Sequence, residues 1–125
     1  MTKILLVDDE NLILYSLSKT LKHEGTDIMA VTNGKDALSE IQRASYDICF
    51  LDVQLPDANG LELMKIFRER SPATRIIIMT AGNLNEAQQR SLRGQGCHFF
   101  PKPFDLDQVQ ALVAELSSHP VAGKE

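Results

Sequence analysis

Short runs of apolar, largely branched residues recur along this chain at Ile4–Val7, Ile28–Val31, Ile48–Leu51 and Ile76–Met79, with a weaker one at Cys97–Phe100. None of them alternates apolar with polar residues. Continuous runs of this length suit strands covered on both faces, which means parallel strands. Parallel neighbours need a long crossover between them, and a helix is the usual solution.

The intervening segments carry that helical signal. Ile13, Leu17 and Leu21 step by four, and Gly25 follows as the expected C-terminal stop. Ala37, Leu38 and Ile41 form a second stripe, with Asn33 as its N-cap and Asp36 three residues later. Leu61, Met64 and Phe67 form a third, ended by Ser71-Pro72. Leu106, Val109, Leu112, Val113 and Leu116 form the last, with Asp105 as its cap. Asn83–Gly94 offers Leu84, Ala87 and Leu92 as apolar anchors, so it reads as a loosely held helix. A β-α unit repeated five times, with right-handed crossovers, builds an α/β three-layer sandwich. Five strands followed by a final helix favour the flavodoxin-like doubly wound order 2-1-3-4-5. Residues 1–117 read as one domain and 118–125 as a C-terminal tail or linker.

Composition narrows the function. The chain has 13 basic and 17 acidic residues, a net charge of −4, which disfavours direct contact with nucleic acid through a basic surface. No apolar stretch approaches the ~18 residues of a membrane span, and Ile4–Val7 is too short for a signal peptide, so a cytoplasmic location is expected. Cys49 and Cys97 form no CxxC pair or Cys/His cluster, which excludes a disulfide scaffold or structural zinc site. Cys49 reads as core and Cys97 as partly exposed. His23, His98 and His119, and the pair Arg90 and Arg93, read as surface groups, and Asp57 and Asn59 as turn formers.

In a doubly wound sheet, ligands bind beyond the carboxyl ends of the strands, near the point where strand order reverses. Strand one exits into Asp8-Asp9-Glu10, strand three into Asp52, strand four into Thr80, and strand five, after Pro101, into Lys102-Pro103. Glu10 or Asp9 taken alone is a candidate cap for the first helix. Taken together, three acids at the ends of adjacent buried strands crowd like charge and need a bound cation. A donor set rich in oxygen, without His or Cys, suits Mg²⁺ or Mn²⁺. A carboxylate beside such an ion, a Lys and a hydroxyl can attack phosphorus and form an aspartyl phosphate.

These residues resemble a known family. Lys3 through Glu10 (KILLVDDE), Asp52 with Leu55-Pro56-Asp57 and Gly60, Thr80-Ala81 and Lys102-Pro103-Phe104 are similar to the receiver domain of bacterial two-component response regulators, over about residues 2–117. The resemblance implies that Asp52 is the phospho-acceptor and that Asp8, Asp9, Asp52 and the backbone carbonyl of Gln54 hold Mg²⁺. It implies Thr80 as the switch hydroxyl, Phe99 as the switch aromatic, Lys102 as the phosphate-pairing cation and a cis Lys102–Pro103 bond. It further implies a sensor histidine kinase as donor, and a phosphorylation-dependent homodimer or an output domain as target. Such a domain is a signalling switch, not a turnover enzyme. Departures are Pro101 before Lys102, Phe99 without a hydroxyl, Gly96-Cys97 in place of Gly-Ala, and Gly82, which presents no side chain to the site. Three competing readings fare worse. A pseudo-receiver is disfavoured by the intact set Asp8, Asp9, Asp52, Thr80 and Lys102. A haloacid-dehalogenase-type phosphatase needs a second Asp where Gln54 stands. A flavodoxin needs a Ser/Thr-rich loop where Asp8-Asp9-Glu10 would repel a flavin phosphate.

Overall fold

A computed structural model describes residues 2–23, 25–81, 84–102 and 104–118. Its elements run β1 (Thr2–Val7), α1 (Asn11–Leu21), β2 (Thr26–Val31), α2 (Gly34–Arg43), β3 (Ile48–Asp52), α3 (Gly60–Arg70), β4 (Arg75–Thr80), α4 (Glu86–Gly94), β5 (His98–Pro101) and α5 (Leu106–Ser118). The strands form one parallel sheet in the order β2-β1-β3-β4-β5. The chain moves outward from β1 to β2, then returns past β1 to β3, so the order reverses beside the ends of β1 and β3.

The central strands feed two cores at once. Leu5, Val7, Cys49, Leu51, Ile76 and Ile78 point to one face, where they meet Ala37, Ile41, Leu63, Met64, Phe67 and Leu92 of α2, α3 and α4. Ile4, Leu6, Ile48, Phe50, Ile77 and Met79 point to the other, against Leu14, Leu17 and Leu21 of α1 and Val109, Val113 and Leu116 of α5. Each fully buried Leu, Ile or Phe contributes roughly 1.5–3 kcal/mol. Burial on both faces is why these strands carry no polar alternation.

The outer strands differ from the sequence expectation. Every residue of β2 keeps some exposure, and Met29 is exposed. This is an edge strand, and the helices cover it only in part. β5 begins at His98, one residue after the apolar run, and ends at Pro101, opposite Thr80. A proline that cannot donate to a ladder is tolerated on such an edge. Gly25 has φ +87° but does not end α1, which stops at Leu21 with Lys22 as C-cap. It turns the chain into β2, and its carbonyl accepts from the Thr2 N–H at 2.8 Å. Cys97 is buried rather than partly exposed, its sulfur 3.5 Å from that of Met64 and 3.4 Å from the Arg68 guanidinium.

Loop chemistry fixes the helix starts. Asn33 accepts from the Asp36 N–H at 2.8 Å and so caps α2. Asp57, in the β3–α3 loop, caps the same helix from outside, accepting from the N–H groups of Gly34 and Lys35 at 2.8 and 3.1 Å. The Gly34 bond, first among its causes, holds the Asp57 carboxyl below the usual range. Asn59 accepts from the Leu61 N–H at 2.8 Å and starts α3. Asn85 and Gln88 form a reciprocal capping box at the start of α4, whose one buried residue among those described is Leu92. That helix is held by its cap more than by its core face.

Gly60 marks the tightest approach. A Cβ there would lie 2.1 Å from the Asp52 carbonyl oxygen and 2.8 Å from Val53 Cα, both backbone atoms with little freedom to move. Gly94 has open space around it, in the last turn of α4. Gly60→Ala is therefore expected to lower the unfolding free energy by ~1–3 kcal/mol or more. Gly94→Ala is expected to raise it by ~0.5–1 kcal/mol through helix propensity. Urea titrations of the two variants check the opposite signs.

Candidate functional site

Four strand exits meet at the carboxyl edge of the sheet. Val7 pairs with Leu51, Asp52 with Met79 and Thr80 with Pro101, so Asp8, Asp52, Thr80 and Lys102 emerge at nearly one level. The Lys102 N–H donates to the Thr80 carbonyl at 2.5 Å, which fixes the start of the β5–α5 loop to the end of β4. Asp8, Asp52 and Thr80 are all buried. Adjacent parallel strands ~4.8 Å apart leave two such acids no room to avoid each other.

The Lys102 ammonium crosses the edge to reach them. Its Nζ lies 2.9 Å from Asp8 Oδ2, 3.1 Å from Glu10 Oε1 and 3.4 Å from Asp52 Oδ2. It donates hydrogen bonds to Glu10 and Asp52. The contact with Asp8 Oδ2 is the shortest of the three, an ion pair with a fully buried carboxylate. The other oxygen of Asp8 accepts from the Glu10 N–H at 2.9 Å, and Asp52 Oδ1 accepts from the Gln54 N–H at 3.2 Å.

These contacts set the protonation. Burial, and then the charge of Asp8, push Asp52 up to about 6, against the Gln54 N–H and Lys102, which pull it down. Burial alone would lower the Lys102 ammonium, but the carboxylates of Asp8 and Glu10 outweigh it and hold Lys102 above its usual value. At neutral pH Asp52 is mostly ionised, and Lys102 carries its proton.

The residues fit a hard divalent cation. Asp8, Asp9 and Glu10 each bring a carboxylate oxygen within 4.8 Å of the others. Every side-chain donor is oxygen, as Mg²⁺ or Mn²⁺ requires. Asp8 Oδ2, buried and ion-paired with Lys102, is an oxygen that such an ion could share.

Glu10 is the residue that sequence reasoning placed differently. It occupies the N-cap position of α1 but makes no side-chain capping bond, and its carboxylate turns to Lys102 instead. Ninety-two positions separate the two residues, so the only signal in the chain was the acid directly following Asp8-Asp9. Phe99 is half-buried against the core that holds Leu92 and Cys97, and the Arg93 guanidinium sits 5.1 Å from its ring centroid. Arg93 is thus engaged in a cation–π contact rather than lying free on a solvated face. The cis Lys102–Pro103 bond, the opening at Gly82 and the tail beyond residue 118 fall outside the described residues.

A family model for the response regulator receiver domain matches residues 4–114. The chain belongs to this family. Receiver domains accept phosphoryl groups as switches in two-component signalling and are not turnover enzymes. Among curated proteins, NtrC of Proteus hauseri is 32% identical over 113 residues, 90% of this chain and 24% of that protein. PilR of Pseudomonas aeruginosa is 37% identical over 113 residues, 90% of this chain and 25% of that protein. The chain therefore spans about a quarter of the length of these relatives. Among solved structures, a two-component response regulator from Clostridium difficile superposes with a TM-score of 0.86 at 28% identity, covering 95% of this chain and 98% of that one. TrrA from Thermotoga maritima, solved in complex with Mg²⁺-BeF, gives 0.78 at 31% identity, covering 93% and 99%. Among the described residues, no helix is long and apolar enough to cross a membrane.

The raised Asp52 value has a consequence for stability. The folded protein holds this proton up to about pH 6, whereas the unfolded chain releases it near 3.8. Asp52 thus contributes stability that is complete below about pH 4 and is lost as pH rises through about 6. In the absence of divalent ions, the melting temperature of Asp52→Asn should exceed that of the wild type at pH 7.5 and approach it at pH 4. A difference independent of pH would contradict the assignment.

Proposed function

We propose that this receiver domain takes a phosphoryl group onto Asp52 from the phosphohistidine of a sensor histidine kinase, or from a small acyl phosphate. The observation that carries the reading is the Asp52 carboxylate itself, buried, ionised at neutral pH and tied to Lys102 at 3.4 Å. One carboxylate oxygen forms the new oxygen–phosphorus bond. The phosphorus–nitrogen bond of the phosphohistidine breaks, and its electron pair leaves with the imidazole. Lys102 pairs with a phosphoryl oxygen, and the Thr80 hydroxyl, on the adjoining strand, donates to another. Asp8, Asp9, Asp52 and the carbonyl of Gln54 would hold Mg²⁺, which when bound neutralises phosphoryl charge.

Thr80 and Phe99 are the switch pair in this reading. Drawing Thr80 toward the phosphoryl group opens space at the end of β4, and Phe99, released from Arg93, moves into it. The repacked surface is the α4-β5-α5 face, and its partner is an output domain or a second copy of the chain. Arg90 and Arg93 lie on α4, and Asp107 and Glu115 on α5, too few charges for an interface built chiefly on ion pairs. In this reading the domain works in the cytoplasm, and with a net charge of −4 it makes no direct nucleic-acid contact itself.

The donor protein has a surface to use. Leu12 and Tyr15 stand 76% and 60% exposed on α1, next to a groove lined by Ile13, Ser16, Lys102, Phe104 and Leu106. Exposed apolar side chains beside the phospho-acceptor suit a helix of the kinase.

Acyl phosphate with Mg²⁺ should label the wild type and leave Asp52→Asn unlabelled, as read by intact-protein mass spectrometry. Labelling of Asp52→Asn at the wild-type rate would sink the assignment. Leu12→Asp should slow transfer from a phosphorylated kinase tenfold or more while leaving acyl-phosphate labelling within about twofold, because only the protein donor needs the apolar contact. Beryllofluoride with Mg²⁺ should change amide exchange most in Glu86–Gly94, a helix with one buried residue among those described. A uniform change over the domain would count against a switch located there.

A further inference from the structure

An ammonium group has three protons, and Lys102 faces three carboxylates. The three are unequal. Asp8 and Asp52 are buried at strand ends, and each has its second oxygen tied to a backbone N–H. Glu10 is a different kind of partner. Its side chain is 58% exposed, caps nothing, and reaches Lys102 only through Oε1 at 3.1 Å. Glu10 thus holds Lys102 from the solvent side, while Asp8 and Asp52 hold it from within the sheet edge.

We propose that Glu10 is a placeholder for the phosphoryl group. In the resting protein it occupies the Lys102 proton that a phosphoryl oxygen on Asp52 takes after transfer. The inference rests on the reading of Asp52 as phospho-acceptor and adds to it a positioning residue that acts through Lys102. A phosphoryl group brings strong acceptor oxygens into the space around Nζ. The ammonium cannot serve these and all three carboxylates, so one partner must leave. Asp8 has no exposure and Asp52 very little, and both are held at strand ends. Glu10 has one, since more than half of its side chain is already solvated, and an exposed ion pair is weak. Until it leaves, Glu10 keeps Nζ directed toward the mouth of the site. Loading breaks the Glu10–Lys102 contact, and hydrolysis restores it. The contact therefore opposes the phosphorylated state and favours return to rest.

The test compares wild type with Glu10→Gln, an exposed and nearly isosteric change. The side-chain ¹⁵Nζ and ¹³Cε signals of Lys102 are recorded at rest, without divalent ions, and again with Mg²⁺ and beryllofluoride. At rest the Lys102 signals of the two proteins should differ, because Glu10 touches Nζ. Once loaded they should coincide, because Glu10 has left. Calorimetry should show Glu10→Gln binding beryllofluoride about two- to fivefold more tightly, the range an exposed ion pair is worth. In a Lys102→Met background the same change should have no effect on that affinity. Signals that coincide at rest, or still differ when loaded, would overturn the proposal. So would tighter binding of equal size in the Lys102→Met background, which would mean that Glu10 acts by its charge on the ligand or the metal. If Lys102→Met does not bind beryllofluoride, the Lys102 signals decide alone. Failure of the underlying reading would look different: Asp52→Asn would itself bind beryllofluoride.

Discussion

Everything at the working edge of this domain depends on one ammonium group. Asp8 is completely buried and Asp52 nearly so, on adjacent strands of the same sheet. An isolated buried carboxylate costs several kcal/mol, and two side by side cost more. The fold offers one neutralising cation within reach among the described residues, Lys102, and it comes from beyond β4, on the far edge strand. Four methylenes are needed to span that distance. A shorter cationic side chain would leave the acids unpaired, and an acid pair without Lys102 would have to take up a proton.

The surrounding architecture serves to hold that geometry. The parallel register sets the strand exits level, and Pro101 ends β5 so that the next residue turns toward the acids. The backbone of Lys102 is anchored to Thr80, so the Thr80 hydroxyl and the cation share one rigid joint. On the opposite side, Gly60 lets the start of α3 press against the Asp52 carbonyl, and its N–H closes the loop on Val53 at 2.7 Å. Asp57 then ties that loop to the start of α2. Asp52 is thus clamped by two neighbouring helices, while α4, next to Thr80 and Phe99, is held by a cap and one buried leucine among the described residues. Rigidity lies where the chemistry needs a fixed nucleophile, and looseness where a signal must become motion.

Legibility in the sequence followed the range of the interaction. Strands β1, β3 and β4 were readable because burial on both faces leaves a continuous apolar run, and the order of the sheet followed from five such units. The carboxylates and Lys102 were readable because each directly follows a strand, and because the spacing of those motifs resembles a family. Contacts between distant residues were not. The Asp57 cap joins positions 57 and 34, and nothing local distinguishes it from a turn-forming aspartate. Cys97 read as partly exposed, but α3 covers it with Met64 and Arg68. Gly25 carried the signature of a helix stop, yet its positive φ serves the turn into β2. The edge strands were overestimated because hydropathy records apolar character and not how far a neighbouring helix reaches.

The resting site is a compromise that each strand end could improve only at another's expense. Lys102 already lies nearest Asp8, and moving it wholly there would forfeit its hydrogen bond to Asp52. Moving it onto Asp52 would lower that carboxyl from about 6 and make it a weaker nucleophile, with Asp8 left charged and alone. The intermediate position keeps Asp52 ionised yet basic, which suits a group that must attack phosphorus at neutral pH. It also leaves the whole cluster short of positive charge, since one ammonium faces the carboxylates of Asp8, Asp52 and Glu10, with Asp9 adjoining. A divalent ion relieves that shortage, and an arriving phosphoryl group restores it by adding negative charge. The balance of charge at the edge is therefore never satisfied in both states at once. That standing imbalance, more than any single contact, is what the proposed phosphorylation of Asp52 would change at the edge of the sheet.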